Sequence, residues 1–217
     1  GYGGKPKKRT STNTWNFIGR NVHDFVWTAD PEYMHDQYPC KNGVVFHTFY
    51  QDNEQYTRFW KKLPAIMEEA LNYINTNFGV YPYPQYSFIQ GGDGGMEYPM
   101  ATLVTGNRPL VSLVGVCVHE FLHSWFYGLL GFNESYYYWM DEGFTNYAEI
   151  LVMEHLKSKG LVPGDVNPFP FESDLKNYYT IVTRGSEEPL STHADHFEYN
   201  SAYSIAAYTK GAIFLHQ

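Results

Sequence analysis

The run His119-Glu120-Phe121-Leu122-His123 constrains this chain more than any other stretch. On an α-helix, positions i and i+4 lie on one face, one turn apart. Two imidazoles so placed can both meet one zinc ion at about 2.0–2.1 Å. Glu120 sits next to the first imidazole and projects beside such a metal rather than onto it, where a base for a metal-activated water belongs. The competing reading is a pair of helical histidines that merely cap a core.

A third ligand favours the metal. Glu142, in Trp139-Met140-Asp141-Glu142-Gly143-Phe144-Thr145, follows His123 by 19 positions. A helix–turn–helix excursion of that length can bring a second helix back across the first. Three protein ligands with one open position suit a catalytic zinc, whereas a structural zinc takes four. Glu149 lies seven residues beyond Glu142 and shares its helical face. It can accept the far N–H of a ligating histidine, or it can be a surface carboxylate.

Around this centre, branched and aromatic runs bounded by turn residues predict short strands over 15–18, 24–28, 44–50 and 86–89. Apolar residues at spacings of three and four predict a helix over 54–78 that kinks or begins at Pro64 and stops at Gly79. Further helices are expected over 110–130, 141–157 and 203–217, with no regular element in Gly91–Gly95 and an irregular region over 160–200. Residues 1–14, rich in Gly, Lys, Thr and Ser, read as a linker or tail, leaving 15–217 as one domain.

Composition removes other classes. A formal net charge of −8 argues against nucleic acid as a partner. With 43% hydrophobic residues the chain can build a sizeable core. No apolar stretch is long enough to span a membrane, and no signal peptide is legible. Cys40 and Cys117 make no disulfide framework, and Cys117 reads as a small buried hydrophobe. Gly91–Gly95 lacks the Lys-Ser/Thr of a phosphate-binding loop. His193 and His196, flanking Asp195, read as solvated, and His23, His35, His47, His155 and His216 have no legible partners.

Taken together, the motifs resemble the gluzincin zinc aminopeptidases of the aminopeptidase N and leukotriene hydrolase family. HExxH is followed by 18 residues, then Glu142 and Gly-Phe-Thr. Upstream, Gly94-Gly95-Met96-Glu97-Tyr98 stands where the family carries Gly-x-Met-Glu-Asn. Downstream, Tyr203 to Gly211 matches the family segment Tyr-(four residues)-Tyr-x-Lys-Gly. The resemblance implies one zinc per chain on His119, His123 and Glu142, with Glu120 as general base and Tyr208 as donor to the developing oxyanion. It implies that Glu97 holds the free α-ammonium of a peptide substrate. Gly94 and Gly95 would let the backbone lie against the peptide, Met96 would border the first side-chain pocket, and Tyr203 would belong to the substrate side.

The implied fold is α+β and thermolysin-like: a small mixed sheet over 15–103, then a mainly helical part, with the site in the cleft between them. The resemblance points to the periplasm or cell surface of a bacterium. Tyr98 replaces the family Asn, which changes pocket shape. The chain starts without Met and stops within a helical pattern. It is therefore expected to be a fragment, weakly active or inactive, of a protein with an N-terminal β-domain and a C-terminal helical domain. A thermolysin-type endopeptidase would lack the Gly-Met-Glu motif and Tyr208. A catalytically inactive binding scaffold would not need the full ligand set.

Overall fold

A computed structural model describes residues 14–217, so the expected linker lies, except for residue 14, outside the described residues. Strands β1 (Tyr33–Pro39), β2 (Val45–Gln51), β3 (Gln85–Gln90), β4 (Gly95–Tyr98) and β5 (Ala101–Val104) form a mixed sheet in the order β1-β2-β3-β5-β4. The inner three are parallel, and the edge strands β1 and β4 run antiparallel to their neighbours. Helix α1 (Thr57–Asn77) is the crossover that lets β2 and β3 pair in parallel. Helices α2 (Leu110–Leu122), α3 (Glu134–Ser158), α4 (Glu172–Thr183), α5 (Asn200–Ser204) and α6 (Gly211–His216) follow, with a π-helical stretch over Ile205–Lys210 between the last two.

Period-two alternation splits the sheet into two faces. Phe46, Thr48 and Tyr50 of β2 and Tyr86 and Phe88 of β3 are fully buried towards the helices. Phe46, Tyr86 and Phe88 meet Phe121 at the centre of an aromatic nest. Its ring centroid lies 4.7 Å from Tyr86, 5.7 Å from Phe46, 5.2 Å from Tyr81 and 5.1 Å from Trp125. Phe121 stands on α2 almost opposite the direction shared by His119 and His123. Burying it, at about 1.5–3 kcal/mol for a side chain of this kind, turns the two imidazoles away from the sheet.

Several sequence expectations needed correction. Residues 15–18 and 24–28 form no strands. Both runs lie outside the sheet ladder, and Ile18 and Trp27 are largely exposed. The strand that pairs with β2 is instead β1, whose mixed polar sequence carries no strong strand pattern. A tight turn builds it: Cys40 N–H donates to the Val44 carbonyl at 2.8 Å, and Gly43 supplies a φ of 91°. Pro64 does not start α1, which begins at Thr57 and runs through it. β4 occupies the end of the glycine cluster, where no element was expected. α2 ends at Leu122 rather than near 130, because Ser124 and Trp125 switch to i−3 hydrogen bonds and Tyr127 takes a φ of 121°. α3 starts earlier than 141 and breaks at Tyr137 (φ −130°, ψ 35°). α4 lies in the region read as irregular. Only its Ile181 is buried, so its sequence shows little apolar periodicity.

Two glycines set how closely the C-terminal helices approach α3. A Cβ on Gly143 would lie 2.7 Å from the Gly211 Cα and 3.0 Å from the Ala207 carbonyl oxygen. Gly143→Ala is expected to destabilise the chain by about 1–3 kcal/mol through overpacking. Denaturant unfolding should read this as a lower midpoint at unchanged slope. An unchanged midpoint would mean that the crossing is loose.

Candidate metal centre

α2 delivers His119 and, from its C-cap position, His123, and α3 crosses behind them to deliver Glu142. His119 Nε2 lies 3.2 Å from Glu142 Oε2, His123 Nε2 lies 3.4 Å from the same oxygen, and the two nitrogens are 3.3 Å apart. Donors at the corners of a tetrahedron 2.0–2.1 Å from its centre would lie about 3.3 Å from one another. The three atoms therefore occupy three corners of a zinc-sized tetrahedron.

The far side of each ring is tied down. His119 Nδ1 meets Glu149 Oε2 at 2.9 Å, and His123 Nδ1 meets Asp141 Oδ1 at 2.6 Å. A ring that donates through Nδ1 presents an Nε2 lone pair inward, as a metal requires. Burial would lower the His119 pKa, but hydrogen bonds with Glu142 and Glu149 outweigh it and push it up to about 9. His123 is raised by Asp141 and Glu142 against the same opposing burial. Burial would raise Glu142, yet the two imidazoles hold it well below the usual carboxylate range.

Glu120 is 6% exposed, and its Oε2 is buried without a hydrogen-bond partner. Burial, then repulsion from Glu97 and Glu142, pushes its pKa up to about 7 against the attraction of His119 and His123. A carboxyl of that pKa can both take and return a proton near neutrality. β4 lies directly over it: a Cβ on Gly95 would collide with Glu120 Oε1 and come within 2.8 Å of Val116 Cγ2. Only glycine fits there. The Gly94 carbonyl accepts from Arg108 Nη2 at 2.7 Å, and the Met96 carbonyl accepts from Thr102 Oγ1 at 3.0 Å. Met96 is exposed on this edge strand, and Glu97 points into the cleft.

Tyr208 rises from the π-helical stretch and stacks on His119, with ring centroids 5.9 Å apart. Burial and then Glu142 raise its phenol, so it stays a protonated donor. Tyr203, one turn earlier, packs its ring against Tyr138 and Phe197 at 4.9 and 5.6 Å.

Asp141 and Glu134 carry no sequence signal that marks them for this site. Asp141 is adjacent to Glu142, and neighbours on a helix do not share a face. Its contact with His123 depends on how α3 crosses α2. Glu134 opens α3, where an acidic residue ordinarily favours the helix dipole. Among the described residues, every group spaced to hold a metal draws on this cleft, and His193 and His196 belong to none. Other histidines do have partners: His155 meets Glu69 at 2.8 Å, and His35 meets His47 at 2.9 Å. A cavity of about 1030 Å³ lies on the outer face of the sheet, lined by residues such as Trp15, Phe25, Trp27 and Phe49. It includes none of the convergent groups, so cavity size does not locate the chemistry.

The Peptidase family M1 domain matches residues 65–217. Human aminopeptidase B is 37% identical over 94 residues, covering 39% of this chain and 14% of its own length. Leukotriene A-4 hydrolase of Xenopus laevis is 30% identical over 165 residues, covering 70% of this chain and 26% of its own length. The M1 zinc metallopeptidase of Deinococcus radiodurans shares the fold, with a TM-score of 0.59 and 22% identity over 85% of this chain and 39% of that one. A mutant of that enzyme, solved bound to a Tyr-Ser-Ala substrate, aligns with a TM-score of 0.60 at 19% identity, over 85% of this chain and 40% of its own. The chain thus spans well under half the length of these relatives.

Proposed function

The chain belongs to peptidase family M1, and from that premise we propose that it is the catalytic core of a zinc aminopeptidase, removing N-terminal residues from peptides. The observation that carries this reading is the convergence of His119 Nε2, His123 Nε2 and Glu142 Oε2 within 3.2–3.4 Å beside the unpartnered Glu120 oxygen. These three side chains would hold the zinc, with Glu149 and Asp141 fixing the ring orientations. When bound, zinc supplies Lewis acidity to the scissile carbonyl and to the attacking water.

The remaining work falls to the chain's own groups. Glu120 takes the proton from the water and returns it to the departing amine nitrogen. The Tyr208 hydroxyl donates to the oxygen on which negative charge develops. Glu97 pairs with the substrate α-ammonium, which an internal peptide bond does not offer. Gly94, Gly95 and Met96 present the edge of β4 to the first residue of the peptide. The relatives' names, aminopeptidase B among them, support the same reaction class.

An aminopeptidase should hydrolyse aminoacyl substrates with a free amine and leave N-acetylated ones intact. Glu97→Ala should lower kcat/KM on the free-amine substrates by about 10–150-fold, the worth of a hydrogen bond to a charged group. A variant unchanged on both substrates would point to an endopeptidase.

A further inference from the structure

Carboxylates crowd the cleft around Glu97 and Glu120, whereas its far end carries a guanidinium. Arg108 lies in the loop between β5 and α2. Its Nε donates to Thr105 Oγ1 at 2.8 Å, its Nη1 to Ser112 Oγ at 3.1 Å and its Nη2 to the Gly94 carbonyl at 2.7 Å. All three acceptors are neutral, and none of the ion pairs among the described residues involves Arg108. A guanidinium has five N–H donors, so these bonds leave one N–H on Nη1 and one on Nη2. They hold the fork in one orientation with its charge uncompensated, which suits a carboxylate.

The position of this fork is fixed by α2. Ser112, Val116 and Glu120 recur at four-residue spacing on one helical face. Val116 and Glu120 lie against Gly95, and Ser112 carries Arg108 one turn further along. Arg108 therefore stands beyond Gly95, at the end of the cleft away from Glu97. Gly94, which Arg108 grips, and Glu97 are three positions apart, roughly 10 Å at about 3.3 Å per residue. An extended tripeptide spans about the same length between its ammonium and its carboxylate.

We propose that Arg108 receives the C-terminal carboxylate of the substrate, so that the cleft selects tripeptides by their two end charges. This rests on the aminopeptidase reading, in which Glu97 holds the ammonium. The peptide then runs opposite to β4, from Glu97 past Glu120 towards Gly94. Its first peptide bond meets the base and its free acid meets Arg108. Arg108 moves no proton in the reaction; it sets which peptides bind.

The test measures dissociation constants by NMR titration at neutral pH. It uses the zinc-loaded chain carrying Glu120→Gln, so that ligands are bound without being hydrolysed. The ligands are leucyl-glycyl-glycine, its C-terminal amide, its N-acetyl form, and the dipeptide leucyl-glycine with its own amide. The tripeptide acid should bind about tenfold tighter than its amide. The dipeptide pair should bind alike, because that carboxylate falls one residue short. Adding Arg108→Gln should abolish the tripeptide preference and leave the amide unchanged. Arg108→Lys, which keeps the charge without the fork, should retain part of the preference. Equal binding of tripeptide acid and amide while Arg108 is present would overturn the proposal, as would an equal preference in the dipeptide pair. Equal weakening of acid and amide by Arg108→Gln would make Arg108 only a support for Gly94, and would overturn it too. An N-acetyl form that binds as tightly as the free peptide would instead overturn the aminopeptidase reading on which this one rests.

Discussion

Purified without added metal, the chain is expected to carry about one zinc ion, and Glu142→Ala almost none. Glu142 Oε2 approaches both imidazole nitrogens, at 3.2 and 3.4 Å. Removing an outer-shell partner typically costs 10–100-fold in metal affinity, and removing a ligand itself should cost at least as much. Elemental analysis alongside a thermal melt distinguishes ligand loss from unfolding. Full zinc in a folded Glu142→Ala chain would overturn the ligand set. The same site predicts a pH dependence. In the metal-free chain the His119 pKa is pushed up to about 9 and His123 is raised in the same direction. Zinc must therefore displace protons across the neutral range. Its affinity should fall as pH is lowered, and calorimetry in buffers of different ionisation enthalpy should register proton release.

Glu120→Gln is expected to retain the zinc while hydrolysis falls by about 10²–10⁴-fold, the usual worth of a positioned general base. Glutamine preserves the volume packed beneath Gly95 but cannot accept a proton at neutral pH. Activity that survives Glu120→Gln would place the base elsewhere. Because the comparison is a ratio, it holds even where the chain, shorter than its relatives, has low absolute activity.

The candidate metal centre was legible because its information is local. His119 and His123 share a face by helical geometry alone, and the 19-residue spacing to Glu142 leaves room for a second helix to return. The strongly periodic run of α1 was legible for the same reason, since its buried residues recur along one helical face. Residues 15–28 misled because strand-forming residue types do not guarantee a neighbouring strand. β1 went unread because an edge strand is defined by its hairpin with β2 more than by its own pattern.

By itself, the sequence determined the candidate metal-ligand types, their spacing on one helical face and the apolar pattern that buries the opposite face. Only the tertiary structure decided that Asp141 backs His123, that Gly95 lies against Glu120, that Gly143 and Gly211 meet, and that Glu134 stands beside Glu97. The physical reason is that such contacts join separate elements. They depend on crossing angles and approach distances between packed helices and strands, and residue spacing along the chain does not encode those.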